Sequence, residues 1–442
     1  MSEQELLSAA RGVGVEAGGP AWLAELRERG LASFTRLGIP TTRDVDWHYT
    51  NPAVIVERTW AAQPAAGGAG VQAADLAPYT FGQADWPTVV FVNGRFAPEL
   101  SNLRDLPAGV RVTDLATALE EEPELVQRHV ASAANMEQHA FTALNTGALG
   151  HGVVIHVAKE MVAEVPVHVI YASDAGATDV MMQPRMLIVA DRHSTATVIE
   201  SWVGLTDARY FNNAVTEAVL ADGATINHLK VQREGRGAMH VGSVHAHQER
   251  DSHFISFSFA IGAGLSRTNI HTVLDGEGAG STLNGLYMID GEQVCDNQTR
   301  IEHAQPNCFS REVYKGLLDG HSRGVFNGKV YVHAIAQKTD GKQENNNMLL
   351  SPYAHVDTKP ELEIFADDVR CTHGATVGRI DETALFYMKS RGVSAESARD
   401  LLVYAFAADV LETIEQTEVR EALETLSLER FAGVADSGVV PR

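Results

Sequence analysis

Residues 281–289, STLNGLYMI, and residues 326–336, FNGKVYVHAIA, carry the reading on which the fold turns. Within them Leu283-Asn284-Gly285-Leu286-Tyr287-Met288 is echoed 43 positions later by Phe326-Asn327-Gly328-Lys329-Val330-Tyr331. Both belong to a stretch of roughly 225 residues after Gly150 made of short β-rich runs. VVIHVA, VPVHVIYA, RMLIVA, TATVIESWVGL and FISFSFAI are others, separated by Gly, Asp and Asn turns. Such an array is compatible with a pair of sandwiches, a propeller or a parallel β-helix. The echo, spaced as about two coils of a solenoid, favours the β-helix. So does Asn345-Asn346-Asn347, which suits stacked turns whose asparagine side chains bond along a ladder.

On either side of this core the texture is helical. Pro20 starts a helix carrying Trp22, Leu23, Leu26, Phe34 and Leu37, which Gly38 and Pro40 end. RDVDWHYTNP, residues 43–52, reads as a polar-aromatic loop. Residues 61–78 are poor in large apolar groups and read as a flexible connection. A second helical stretch is expected from about Thr113 to Leu144, broken at Glu120-Glu121-Glu122 before Pro123. Near the other end, Asp381 N-caps a helix whose last turn holds Lys389 and Arg391, with Gly392 following. Ser394 caps the next helix, which carries two apolar stripes. Ala398, Leu401, Leu402, Ala405 and Ala408 form one; Val403, Ala407, Val410, Leu411 and Ile414 form the other. A helix apolar on most of its circumference needs covering on more than one side. Val419, Ala422, Leu423 and Leu426 of a third helix could close one of them. The expected organisation is a mostly helical region at 1–149, a β-helix core at 150–378 and a helical domain at 379–442.

Composition limits the partners. With 35 Lys+Arg against 57 Asp+Glu, the net charge of −22 disfavours a nucleic-acid backbone or an anionic membrane surface. Cys295, Cys308 and Cys371, an odd and widely spaced set, fit a reducing compartment rather than a disulfide framework. The opening MSEQELLSAARGVG lacks a charged-then-apolar signal pattern, and the longest apolar run, Leu401 to Ala408, is far short of a span. The sequence therefore reads as a soluble, cytoplasmic protein.

Chemistry-bearing residues are few. In Thr339–Gly374, Glu361-Leu362-Glu363-Ile364-Phe365-Ala366 suits a half-buried strand and Asp367-Asp368 a turn. Beyond it Val369, Cys371 and His373 lie two apart, on one face of an extended chain. A thiol and an imidazole side by side suit iron or an iron–sulfur species. The same spacing equally suits a thiol buried in a core beside Val369, and clusters usually take four ligands. His240, His245, His247 and His253 form a second candidate metal cluster, which is also the pattern of histidines on a solvated sheet face. Gly262-Ala263-Gly264 and Gly276–Gly280 lack the Lys-Ser/Thr of a P-loop and read as tight turns. No nucleophile elbow or His-Glu-x-x-His is present.

ENNNMLLSPYAHVDTKPELEIFADDVRCTHGATVGRIDE, LFYMKSRG and LLVYAFAADVLE together resemble the SufB/SufD family of iron–sulfur cluster assembly proteins. The resemblance runs from about Asn284 to Glu412, and IPTTRDVDWHYTNP is similar to the entry segment of SufD. No cysteine precedes Cys295, whereas SufB usually has a Cys-rich motif in its amino-terminal half, so SufD is the closer branch. The resemblance implies a right-handed parallel β-helix flanked by helical segments. It also implies a non-catalytic subunit that pairs with a SufB paralogue and carries a SufC-type ATPase. Tyr387, Leu401, Tyr404, Ala405, Ala408 and Leu411 would then be the ATPase-docking residues. His373, with Cys371 in support, would hold a transient iron–sulfur cluster at the seam with SufB. A flavin in the assembled complex is a further cofactor to consider. Two rivals are a self-associating scaffold, a homodimer when alone, and a β-helix enzyme acting on acidic polysaccharide. The latter fits poorly with so acidic a chain.

Overall fold

The computed structural model describes residues 3–62 and 70–431. From Gly152 onward the chain climbs alternately through two facing parallel sheets. The first sheet runs from Gly152–Val157 to His355–Ile364, and the second from Val167–Ser173 to Arg370–Arg379. Each sheet takes eight successive strands in parallel register, so the core is a β-solenoid of eight rungs. Gly280 pairs with Phe309 and Phe309 with Asp340, so one coil takes about thirty residues.

That length corrects the reading of the echo. Asn284 lies in the second sheet and Asn327 in the first, so 43 positions span one and a half coils, not two. The echo therefore records two strands on opposite walls. The asparagine run is corrected too: Asn345-Asn346-Asn347 is mid-strand, within Asp340–Leu349, not in a turn. Asn345 and Asn347 face inward and are buried, and the Asn347 amide donates to the Asn345 side chain at 2.6 Å. Outward-facing Asn346 accepts from Thr376 of the next rung at 2.6 Å. A side-chain ladder exists, but on a strand.

The strands are so apolar because most are covered on both faces. Between the sheets lie Ile155, Ile188, Val198, Phe254, Leu283, Ile301 and Phe326. Outside the first sheet pack the helices Glu3–Ala17, Ala21–Leu37 and Ala140–Gly147. The second and third of these touch closely: a Cβ on Gly30 would stand 2.6 Å from the Gly147 nitrogen. The region is tied down by a buried ion pair, Arg185 to Glu217 at 2.6 Å, whose carboxylate also accepts the amides of Ala131, Ala133 and Ala134. Outside the second sheet pack the helices Ala395–Leu411 and Thr417–Phe431.

The amino-terminal region is mostly helical, as expected, but it also adds strands to both sheets. Thr88–Val92 joins the second sheet in parallel, and Val110–Asp114 joins the first antiparallel. The stretch after Thr113 holds three short helices, with Glu122 at the break before Pro123 as expected. Residues 63–69 of the expected connection lie outside the described residues. Of its flanks, Ala61-Ala62 pairs with Val180-Met181 and Ala73–Leu76 is helical.

Candidate functional site

The last rung leaves two edges open, because His355–Ile364 and Arg370–Arg379 each have a neighbour on one side only. Unpaired strand edges offer rows of backbone donors and acceptors to another chain. Cys371 and His373 stand on the second of these strands.

Registers fix what lies beneath them. Cys371 continues an inward-facing ladder from Ser281, Ser310 and Gly341. His373 continues one from Leu283, Glu312 and Gln343. Both side chains thus face the solenoid axis, but among the described residues no further rung closes over them. Cys371 is half-buried and packs with Val369 and Leu362 against Val330, Val332, Ala336 and Ala366. His373 is exposed. The thiol therefore backs onto a small core, as one reading of the spacing expected, while the imidazole is exposed to solvent. Burial pushes the Cys371 thiol above its ordinary pKa, against a backbone hydrogen bond from Gly341. Using it as a ligand means releasing a proton.

The ladder under His373 is polar. Gln343 donates to Glu312 at 2.6 Å, and burial pushes that carboxyl up to about 7. Nothing in the sequence singled out Glu312, since its burial follows only from the register. The other thiols are sealed: burial raises Cys295 to about 12 and Cys308 to about 11. Among the described residues, no three His, Cys, Asp or Glu side chains are grouped to hold a metal ion. This corrects the histidine cluster. His240 turns inward to Glu234, His245 outward to Thr142, His247 to Asp275, and His253 to Thr282 in the other sheet.

Two residues separate the site strand from the helix Glu382–Ser390, which Asp381 caps by accepting from the Thr383 amide. Ser394 caps the next helix through Ser397, as its sequence foretold. Its stripe of Val403, Ala407, Val410 and Leu411 is buried against the second sheet and the helix Thr417–Phe431. The Lys315 ammonium ties it down, meeting the Phe406 carbonyl and the Asp409 carboxylate. Its other stripe is buried at Ala398 but open beyond it: Leu401 and Ala405 are exposed and Leu402 and Ala408 half-buried, with Tyr404 half-buried alongside. Phe386 and Tyr387 extend this open apolar surface on the preceding helix. Leu411 must be removed from the candidate docking residues, because it has no exposed surface at all. Its place in the stripe two turns beyond Val403 turns it into the core.

The glycine turns lead into strands at Leu265 and Gly280, as expected. Among the described residues, no helix is long and apolar enough to cross a membrane.

Comparison with known proteins agrees with this geometry. Residues 170–406 match the SufBD core domain of the SUF system for FeS cluster assembly, and residues 6–169 match the SufBD protein N-terminal region. The chain is 32% identical to the iron–sulfur cluster assembly protein SufD of Escherichia coli, covering 92% of each. It is 30% identical to an iron–sulfur cluster assembly SufBD family protein of Synechocystis, covering 86% of this chain and 84% of that one. It is 27% identical to SufD of Bacillus subtilis, covering 91% and 93%. With family models spanning both the amino-terminal region and the solenoid, the chain belongs to the SufBD family of iron–sulfur cluster assembly proteins.

Proposed function

We propose that this chain is the SufD-like, non-catalytic half of a SUF scaffold, pairing end to end with a SufB-like paralogue and carrying a SufC-like ATPase. A nascent iron–sulfur cluster is its cargo, held at the seam by His373 with Cys371 in support. The observation that carries the reading is the open last rung. It presents two ligand-competent side chains, half the usual set for a cluster, on strand edges that a second solenoid can extend.

The ATPase dock is the open apolar surface of Phe386, Tyr387, Leu401 and Ala405, which lies on the helices that directly follow the site strand. This adjacency supports a mechanical role. A partner that moves the helix Glu382–Ser390 pulls on Arg370–Arg379 through only Ile380 and Asp381. The cycle of ATP binding would then bias the seam between a closed and an open state by differential contact. Anaerobic reconstitution of the complex with SufB-like and SufC-like partners tests the site. His373→Ala should lose most cluster absorbance; full retention would refute the assignment.

The same open edges favour a second reading when the chain is alone, an isologous pair through the last rung. Sedimentation of the isolated chain decides it: a mass of one protomer at micromolar concentration removes the homodimer.

A further inference from the structure

The amino-terminal segment and the outer face of the first sheet, as far as Glu361 of its last strand, line a crevice of about 410 Å³. That is the size of a small-molecule site. Its floor consists of two ladders that the strand registers place side by side. One carries Ser243, Asn269, Gln298 and Asn327. The other carries His245, His271, Arg300 and Lys329. Adjacent strands stand about 4.8 Å apart, so each four-residue row spans roughly 14 Å. The roof is the segment Asp44–Trp47 together with His139–Thr142.

The two ends of the crevice differ in character. At one end His139 lies 5.9 Å from His245 and His245 lies 6.1 Å from His271, ring centre to ring centre. Trp47 and Phe141, 5.4 Å from each other ring centre to ring centre, also line the crevice. Burial lowers His139 to about 4 and pushes His245 down as well, so both are neutral near pH 7. This end is aromatic, and its nearest cation, the Arg267 guanidinium stacked 3.9 Å over the Trp47 ring, is already paired with Asp296. At the other end stand Arg300 and Lys329, with Gln298 and Asn327 alongside. Arg300 is paired with the Glu302 carboxylate at 3.1 Å, and Lys329 with the carboxylates of Glu363 at 2.6 Å and Glu361 at 3.9 Å, the latter also bound to Lys359. The Lys329–Glu363 pair is partly exposed, and such pairs contribute little. An incoming oxyanion therefore displaces Glu363 from Lys329 at small cost, while Glu302 stays held by His333 at 2.7 Å and His271 at 3.5 Å.

Polar atoms of the lining are left over at both ends of the crevice. The Nδ1 of His245, whose residue is 2% exposed, and the Oδ1 of Asn327 are buried with no protein partner. Buried polar atoms are normally satisfied by protein, water or ligand. These two lie three strands apart along the floor, so a single elongated ligand reaches both ends.

We propose that this crevice binds a small planar molecule bearing an oxyanion, with its ring at the imidazole end and its oxyanion on Arg300 and Lys329. The proposal is independent of the assembly role assigned to the last rung. Phosphate and carboxylate share the required chemistry, so both sources are probed: adenosine monophosphate and nicotinate. Adenosine supplies a ring without charge, and inorganic phosphate a charge without a ring.

Titration calorimetry on the full chain should show one saturable site for at least one of the two ring-bearing oxyanions. Adenosine and phosphate should each bind about tenfold or more weakly, the loss expected when one charge-assisted contact goes. Arg300→Gln and Lys329→Gln should weaken the tighter probe by about tenfold each. Gln298→Trp, which fills the crevice from the floor, should abolish its binding. Thermal melts on each variant establish that it is folded. The proposal fails if neither ring-bearing oxyanion saturates, if adenosine or phosphate binds as well, or if folded Gln298→Trp still binds.

Discussion

Glu312→Gln should stabilise the protein at alkaline pH, by an amount that the structure sets. Glu312 is 1% exposed, inside the solenoid, with one carboxylate oxygen accepting from Gln343 and the Thr299 hydroxyl beside the carboxyl. Burial raises its pKa from 4.5 to about 7. A carboxylic acid whose folded-state pKa is raised binds its proton more tightly in the folded chain. Stability therefore falls as pH rises from about 4.5, and the loss is complete above about 7. At ~1.36 kcal/mol per pKa unit, the cost of ionising this group reaches roughly 3 kcal/mol at pH 8. Glutamine keeps the shape and the acceptor facing Gln343 but never ionises. Urea unfolding at pH 5 and pH 8 should show near-equal stability at the acid end and a gain of roughly 2–3 kcal/mol for the variant at the alkaline end. The same gain at both pH values, or none at either, would refute the picture of a buried acid that must ionise. The position matters because Glu312 stands two rungs below His373 in one ladder.

Two further outcomes follow from burial on the carboxy-terminal helices and at the thiols. Leu411→Ala should cost about 2–5 kcal/mol of unfolding free energy, as large-to-small core changes do. Leu401→Asp should leave the melting curve of the isolated chain nearly unchanged while weakening co-purification with an ATPase partner. Equal destabilisation by the two would contradict the division of this helix into a buried and an open stripe. Among the thiols, Cys371 should be alkylated in the native protein well before Cys295 and Cys308, at a rate that increases with pH, because its thiol must first lose a proton. Mass mapping after brief iodoacetamide treatment at pH 7 and pH 9 reads this. Preferential labelling of Cys295 would show that its burial is misplaced.

Much of the architecture was legible residue by residue. Asp381 and Ser394 signalled their helices because a short side chain before an apolar periodic run can satisfy free amides, a purely local requirement. Gly38, with φ of +71°, ended its helix for an equally local reason. The pairing of Cys371 with His373 on one face followed from strand periodicity. The coil length did not. Asn284 and Asn327 share a local sequence but stand on opposite walls, and local pattern carries no information about which wall a strand joins. The strands Thr88–Val92 and Val110–Asp114 were missed because their places depend on pairing with partners far along the chain.

By itself the sequence determined that β-rich runs recur between turns, that helices flank them, and that a thiol and an imidazole sit two apart near the end of the array. Those are consequences of side-chain spacing and capping, which act over a few residues. Only the tertiary structure decided that no ninth rung covers His373 among the described residues, that Leu411 turns inward while Leu401 does not, and that the histidines from His240 to His253 scatter to four environments. Each of these depends on what lies across a sheet or beyond its edge. Burial, and with it the pKa of Glu312 and of the cysteines, is a property of neighbours that the chain brings together only when it folds.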